Sequence, residues 1–135
     1  TLHAVAEQAR HQHGAQQVVA VLDARMDEVY AAHLHWEQDR WHTESGPVLA
    51  APEHLHAPAG WTVAGNAQAA YPTRLAPTAE HVRALPTAAA LLRLAPALLA
   101  AGQDVDASGA MPLYLRDKVA QTTAEREALR MGKPA

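Results

Sequence analysis

The sequence contains no cysteine, which excludes disulfide bonds, zinc–thiolate sites and thiol catalysis, and this fits a reducing compartment. Phenylalanine is also absent, so we expect the core to depend on leucine, valine and the tryptophans Trp36, Trp41 and Trp61. The chain has no excess of basic residues, because its net charge is -3 and its pI is about 6.3. This balance disfavours a general nucleic-acid-binding surface, which is usually basic.

Long hydrophobic runs are missing as well. The longest apolar stretch, Leu85 to Ala101, is interrupted by Arg93 and contains two prolines, so it is too short and too broken to span a bilayer. Residues 1–20 lack the charged, apolar and cleavage regions of a signal peptide. We therefore expect a soluble, cytoplasmic chain.

The apolar pattern of the first third predicts a helix followed by an antiparallel meander. A helix over residues 1–13 precedes a continuously apolar strand, Val18 to Leu22, which should be covered on both faces. A polar turn over Asp23 to Asp27 follows, apolar and polar residues then alternate from Val29, and a return strand begins at Trp41. Two adjacent turns would join these strands into a three-stranded meander.

The rest of the chain predicts a strand–helix–strand–helix continuation within a single domain over residues 1–135. The long helix should run from Thr87, its N-cap, to Ala101, and Pro96 should kink or divide it. The other expected elements are, in chain order, a Pro-rich loop (Gly46 to Pro58), a strand (Trp61 to Ala64), a short helix (Ala67 to Tyr71), a strand (Glu80 to Ala84), an extended segment (Pro112 to Arg116) and a helix-capable tail from Lys118.

A glycine-rich phosphate loop is absent from the turn after the first strand. That turn reads Asp23-Ala24-Arg25-Met26, whereas a doubly wound nucleotide domain needs glycines there. The element order therefore favours an α/β domain with a mixed sheet and flanking helices, matching the second half of a ribonuclease-H-like (actin-like) duplicated fold.

The turn after the first strand concentrates charge. Asp23, Asp27 and Glu28 place three carboxylates beside Arg25. Asp23 and Glu28 could serve acid–base or metal chemistry; alternatively, Arg25 pairs with Asp23 or Glu28 and holds the hairpin in shape. We favour the second interpretation, because turns commonly carry such residues.

Histidine is abundant, with nine residues that include three His-x-His pairs. Residues i and i+2 of a strand share a face, so His33 and His35 are the weak candidates for a metal site. No third ligand converges in the sequence, so we assign no metal and no cofactor and expect these histidines to be exposed.

Two further patterns have a functional and a structural interpretation. Ser45 and Ser108 are expected in loops without a nucleophile-elbow motif, which disfavours a peptidase. The aromatic residues Tyr30, Trp36, Trp41 and Trp61 could stack RNA bases. Because the chain has so few aromatic residues, we expect the core to need them instead.

Two segments closely resemble signature segments of the TsaB (YeaZ) family. The first is the strand–turn–strand Val18-Val19-Ala20-Val21-Leu22-Asp23-Ala24-Arg25-x-x-Glu28-Val29-Tyr30, which resembles the opening of the family's second half. The second is Pro112-Leu113-Tyr114-Leu115-Arg116, followed by Val119-Ala120, which resembles the family's Pro-x-Tyr-x-Arg segment. The intervening Trp61 to Asn66 and Leu85-Pro86 follow the family's order, so the resemblance covers essentially the whole chain.

The resemblance implies a non-catalytic subunit of tRNA threonylcarbamoyladenosine synthesis. Its partners would be TsaD, which carries the chemistry, and TsaE, and the family also forms homodimers. Because the glycine-rich first half of the family is not seen here, we expect a C-terminal half that keeps its fold and loses most of the partner interface. The signature residues are assigned to fold architecture and not to catalysis: Asp23, Arg25, Glu28, Tyr30, Pro112, Tyr114 and Arg116.

Two other functions stay open at this point. One is a metal-dependent hydrolase of the glycoprotease type, for which His33 and His35 would have to bind zinc or iron. The other is a degenerate actin-like nucleotide-binding module. We expect no membrane partner and no direct nucleic-acid binding.

Overall fold

The computed structural model describes residues 1–116, whose backbone forms a five-stranded mixed sheet with helices against one face. The helices and strands, in chain order, are α1 (Leu2–His13), β1 (Gln17–Arg25), β2 (Glu28–Glu37), β3 (Arg40–Ala50), β4 (Thr62–Gly65), β5 (Glu80–Arg83) and α2 (Ala88–Ala100). Short 3-10 turns lie at Pro52–His54, Ala67–Ala69 and Ala107–Gly109.

The sheet has the strand order β3-β2-β1-β4-β5. The pairs β1–β2 and β2–β3 are antiparallel, whereas β1–β4 and β4–β5 are parallel, so the expected meander and mixed sheet are confirmed. Both hairpins turn through two residues with positive φ, namely Met26-Asp27 (φ 55 and 64) and Gln38-Asp39 (φ 51 and 58). Such turns match the right-handed twist of the strands that they join.

β1 is buried on both faces, as its continuous apolar run predicts. Val18 and Ala20 pack against α1, while Val19 and Val21 pack on the other face with Trp61 and the loop residues around it. α2 does not lie directly on the sheet centre; its buried residues Ala90 and Leu94 pack against Ala4 of α1. The core therefore has two layers separated by the sheet.

Two boundaries differ from the sequence-based expectation. β1 continues to Arg25, so only Met26 and Asp27 form the turn. β3 continues through Gly46 to Ala50, where a Pro-rich loop was expected, and Ser45 therefore lies in a strand. The reason is Gly46 (φ 91): a Cβ there would lie 2.7 Å from the carbonyl oxygen of Ala31, so glycine lets the strand bulge and continue.

α2 agrees with the predicted helix to within one residue at its ends. The Thr87 side chain accepts a hydrogen bond from the Ala90 amide at 3.1 Å, which makes it the N-cap. Of the two predicted effects of Pro96, a kink or a division, the division does not occur, since the helix is continuous across Pro96. A proline ring is compatible with helical φ and sacrifices one backbone hydrogen bond.

The segment from Pro112 to Arg116 forms no strand within the described chain. The predicted tail from Lys118, including Val119-Ala120, lies outside the described residues. No helix within residues 1–116 is long and apolar enough to cross a membrane.

Candidate functional site

The carboxyl end of β1 is tied to the end of its parallel neighbour β4. Asn66, just after β4, accepts a hydrogen bond from the Asp23 amide at 2.9 Å and donates its own amide to the Val21 carbonyl at 3.3 Å. The Asp23 carboxylate accepts from the Arg25 amide at 2.9 Å and from the Tyr71 hydroxyl at 3.2 Å. Burial and the Asp23 charge raise the pKa of Tyr71, so its hydroxyl stays protonated and donates.

The guanidinium of Arg116 contacts the same hairpin from the far end of the described chain. It donates to Glu28 at 2.5 Å and to the carbonyls of Ala24 and Arg25 at 3.2 and 3.4 Å, and it lies 3.4 Å from the sulfur of Met26. Its side chain is only 14% exposed. The segment that ends at Arg116 is therefore fastened to the β1–β2 hairpin, a contact that we call the Arg116 clasp.

The tip of the hairpin is held by a third arginine, Arg74. Its guanidinium donates two hydrogen bonds to the Asp27 carboxylate, at 2.6 and 2.8 Å, and also pairs with Glu53 at 2.7 Å. These hydrogen bonds hold the pKa of Asp27 below its usual value. Arg74 lies 47 residues from Asp27 in the chain, so no local sequence pattern predicts this pair.

Each carboxylate of the charged turn thus faces an arginine. Asp23 lies 3.5 Å from Arg25, Asp27 pairs with Arg74, and Glu28 pairs with Arg116 and not with Arg25. A carboxylate held in this way is a poor general base, since its charge is already stabilised by a fixed partner. The arrangement suits a rigid, neutralised corner of the surface.

The metal candidates His33 and His35 make different contacts. His33 lies between the Ser45 hydroxyl, 3.0 Å from Nδ1, and the His56 carbonyl, 2.7 Å from Nε2. His35 lies 3.1 Å from Glu44 and stacks on the ring of His42. Within residues 1–116, no three His, Asp or Glu side chains are grouped closely enough to hold a metal ion.

The aromatic residues only partly form the core. Trp61 is 7% exposed and packs in the layer opposite α1. Trp36 and Trp41 are half-buried and meet edge to face, and the Arg10 guanidinium lies 4.0 Å from the Trp36 ring centre. Tyr30 is also half-buried.

Known proteins resemble this chain over most of its length. The tRNA threonylcarbamoyladenosine biosynthesis protein TsaB of Escherichia coli K12 is 32% identical over 130 residues, which are 89% of this chain and 56% of that protein. YeaZ from Pseudomonas aeruginosa is a structural neighbour with a TM-score of 0.77 and 34% identity, covering 84% of this chain and 55% of that chain.

This chain belongs to the TsaB (YeaZ) family.

A second structure from Pseudomonas aeruginosa, of an uncharacterized protein with similarity to peptidase YeaZ, has a TM-score of 0.74 and 34% identity. It covers 85% of this chain and 56% of that one. The chain therefore spans about half the length of the TsaB relatives that it matches. No family model matches the sequence. Together with the mixed five-stranded sheet, these neighbours confirm the expected ribonuclease-H-like α/β fold.

The two TsaB signature segments meet in space. Glu28 of the first segment and Arg116 of the second form the Arg116 clasp, although 88 residues separate them. Tyr30 lies within β2, whereas Pro112 and Tyr114 lie on the surface, Tyr114 being 81% exposed. The signature residues therefore do not all share one environment.

A buried carboxylate in α1 forms an ionic site that no sequence motif predicts. Glu7 is 1% exposed and accepts hydrogen bonds from Arg10 (2.9 and 3.0 Å), Arg93 (3.0 Å) and the Trp41 indole (3.1 Å). Burial raises the pKa of Glu7, but the hydrogen bonds from Arg10, Trp41 and Arg93 outweigh it, so the pKa lies below 4.5. The only signal in the sequence was a carboxylate among the apolar positions of an amphipathic helix.

Proposed function

We propose that this chain is a non-catalytic scaffold subunit in tRNA threonylcarbamoyladenosine synthesis and that it partners TsaD- and TsaE-type proteins. Its similarity to TsaB of Escherichia coli supports a role in this pathway. The observation that carries the structural part is the Arg116 clasp, because it joins the two TsaB signature segments into one surface corner.

The chemistry of that corner favours a scaffold over an enzyme. An arginine pairs with each of the three carboxylates, Asp23, Asp27 and Glu28. These ion pairs fix the shape of the corner and neutralise its charge. A surface held by several cross-linked ion pairs is pre-organised, which lowers the cost of ordering it when a partner docks.

A binding experiment with a TsaD-type protein tests the proposal. The immobilised chain should retain that protein, but more weakly than a TsaB relative that spans the full family length. Arg116→Ala should lower retention because it releases the clasp. Arg40→Ala, which removes an equal charge at the opposite end of the sheet, should leave retention unchanged.

A threonylcarbamoylation assay on tRNA tests the non-catalytic part. The chain alone should form no modified tRNA, whereas TsaD- and TsaE-type proteins should be required. Product formed by the chain alone contradicts a scaffold role.

The binding experiment has two outcomes that contradict the proposal. If the chain does not retain the TsaD-type protein even at high concentration, the partnership is contradicted. If the chain retains it as well as a full-length relative does, the expected loss of interface is contradicted.

A hydrolase is the second candidate, favoured by one contact. The Ser45 hydroxyl lies 3.0 Å from His33 Nδ1, and the other ring nitrogen of His33 faces the His56 carbonyl. A serine nucleophile is activated by a base that lies within hydrogen-bonding distance of its hydroxyl. However, His33 and Ser45 are directly opposite each other on β2 and β3, so strand register alone brings them together.

Labelling with a fluorophosphonate probe separates these candidates. A scaffold should show no labelling that depends on Ser45. Labelling that is lost in Ser45→Ala and His33→Ala, and kept in Ser108→Ala, would instead support a hydrolase.

A further inference from the structure

The helix α2 is attached to the rest of the fold by little apolar contact. Of its 13 residues only Ala90 and Leu94 are buried, whereas six of the 12 residues of α1 are buried. Ala90 and Leu94 form a small cluster with Ala4 of α1, and Trp41 packs against that cluster. Because burial of apolar surface is the main force that holds a helix in place, α2 is weakly attached.

Polar contacts supply the rest of the attachment. Arg93 donates to the Glu7 carboxylate at 3.0 Å and to the side-chain oxygen of Gln8 at 2.7 Å. The Thr87 hydroxyl donates to the same Gln8 oxygen at 3.1 Å. All three hydrogen bonds therefore end on two consecutive residues of α1, and we call these four side chains the α2 latch.

The α2 latch can open without leaving the Glu7 carboxylate unpaired. Glu7 also accepts hydrogen bonds from Arg10 and from the Trp41 indole, neither of which belongs to α2. When Arg93 leaves, water solvates its guanidinium and Glu7 keeps these two partners. Breaking a buried ion pair is most costly when one charge stays buried without a partner, and opening of the latch avoids that situation.

The chain on both sides of α2 is exposed. Within residues 85–114, only Ala90 and Leu94 are buried. This segment lies between two anchors, namely the buried Ala84 and Arg116, which the Arg116 clasp fastens to the β1–β2 hairpin. A segment that is anchored at its ends and held at one contact between them can move as a unit.

We propose that α2 is a latched helix, which swings off α1 reversibly while the sheet stays folded. The open state exposes Ala4, Ala90 and Leu94, which the closed state covers, so the α2 latch controls access to this apolar strip. The inference is independent of the proposed function, because it concerns a local opening of the folded chain.

Thiol labelling under native conditions tests the opening, and the chain has no cysteine of its own to compete. Ala90→Cys places a probe beneath α2, and Ala32→Cys in β2 places one in the sheet core. With dithiodipyridine, the α2 probe should react at least about tenfold faster than the sheet probe, because only the sheet probe requires the sheet to unfold. Low urea concentrations should hardly change the rate at the α2 probe, since its opening exposes little surface, and should raise the rate at the sheet probe steeply.

Arg93→Met tests the latch itself. It removes both Arg93 contacts and should accelerate labelling of the α2 probe at least about tenfold, with little change at the sheet probe. Gln8→Ala keeps every charge and removes the acceptor that Thr87 and Arg93 share, so it should act in the same direction. Arg83→Met is the matched control: it removes an equal charge from an exposed position of β5 and should leave both rates unchanged.

Two results would overturn the proposal. One is labelling of both probes at equal rates with equal urea dependence, which would show that α2 leaves only when the sheet unfolds. The other is an Arg93→Met chain in which the ratio of the two rates is unchanged. If Ala90→Cys does not fold, Leu94→Cys replaces it with the same expected rates, because Leu94 is buried in the same contact.

Discussion

At the scale of single residues, Gly65 is the position with the least freedom. Its φ is +150, and a Cβ built there would lie 1.7 Å from the carbonyl oxygen of Val21. This close approach is what allows Asn66 to reach β1 and accept the hydrogen bond from Asp23. The geometry of the charged corner therefore depends on a residue without a side chain.

Gly65→Ala should destabilise the chain by at least about 3 kcal/mol or prevent folding, because both the backbone strain and the clash with Val21 must be relieved by moving β1 away from β4. Urea unfolding followed by circular dichroism measures the loss. Gly60→Ala is the control: its φ is +81 but no atom lies within 4 Å of the new Cβ, so it should cost only about 1–2 kcal/mol. Equal costs would show that crowding at Gly65 is unimportant.

At the scale of elements, the β1–β2 hairpin depends on partners from elsewhere. Arg25 at the end of β1 and the turn residues Met26 and Asp27 all have positive φ (63, 55 and 64), a conformation that residues other than glycine, asparagine and aspartate rarely adopt. Arg74 holds this strained turn through Asp27, and Arg116 holds it through Glu28.

Arg116→Ala should destabilise the hairpin by about 1–2 kcal/mol, because the carbonyls of Ala24 and Arg25 and the Glu28 carboxylate lose a shared donor. Hydrogen exchange of the amides from Ala24 to Glu28 should accelerate accordingly. The control Arg25→Ala removes an 87% exposed guanidinium and should change stability by less than about 0.5 kcal/mol. If both variants exchange alike, the clasp contributes nothing to the hairpin.

The start of α2 offers a second test at this scale. Thr87 accepts from the Ala90 amide and donates to the Gln8 side chain, both at 3.1 Å, so it caps α2 and ties it to α1. Thr87→Ala should cost about 1 kcal/mol in unfolding free energy, whereas Thr87→Ser should keep most of it, since the hydroxyl remains. A serine variant as unstable as alanine would assign the effect to the lost methyl group.

At the scale of the whole molecule, Glu7 connects three elements. Its carboxylate in α1 receives donors from α1 itself, from Trp41 in β3 and from Arg93 in α2. The apolar contact between the two helices is small, so this buried ionic group fixes how α2 lies on the rest of the fold.

The stability of the whole chain should therefore fall in acid. The pKa of Glu7 is lower in the folded chain than its ordinary 4.5, so the unfolded state binds a proton first. The stabilisation is fully present above about pH 4.5 and is lost as pH falls through the lowered folded pKa. Urea unfolding between pH 3 and pH 7 measures this loss.

Glu7→Gln should lower stability at pH 7 by about 3 kcal/mol and flatten the acid limb of the profile, because Arg10 and Arg93 lose their charged partner. Glu44→Gln, at a half-exposed carboxylate, is the control and should retain the slope of the unmodified chain. An unchanged slope in Glu7→Gln would assign the acid sensitivity to other carboxylates.

The sequence alone determined the elements of this fold that are built from local patterns. The apolar run of β1, the alternation of β2 and the Thr87 cap each depend on neighbours within a few residues, so periodicity predicted them. The two signature segments were also recognisable, because the order of residues along the chain is sufficient to compare families.

Only the tertiary structure decided which charged groups meet. Glu28 pairs with a residue 88 positions away, Asp27 with one 47 positions away, and Glu7 with one 86 positions away. Sequence spacing carries no information on such pairs, because packing of distant elements sets the distances. Gly46 likewise keeps β3 continuous, because it has no Cβ to clash with the Ala31 carbonyl oxygen of the neighbouring strand β2. No local sequence pattern reveals this close approach.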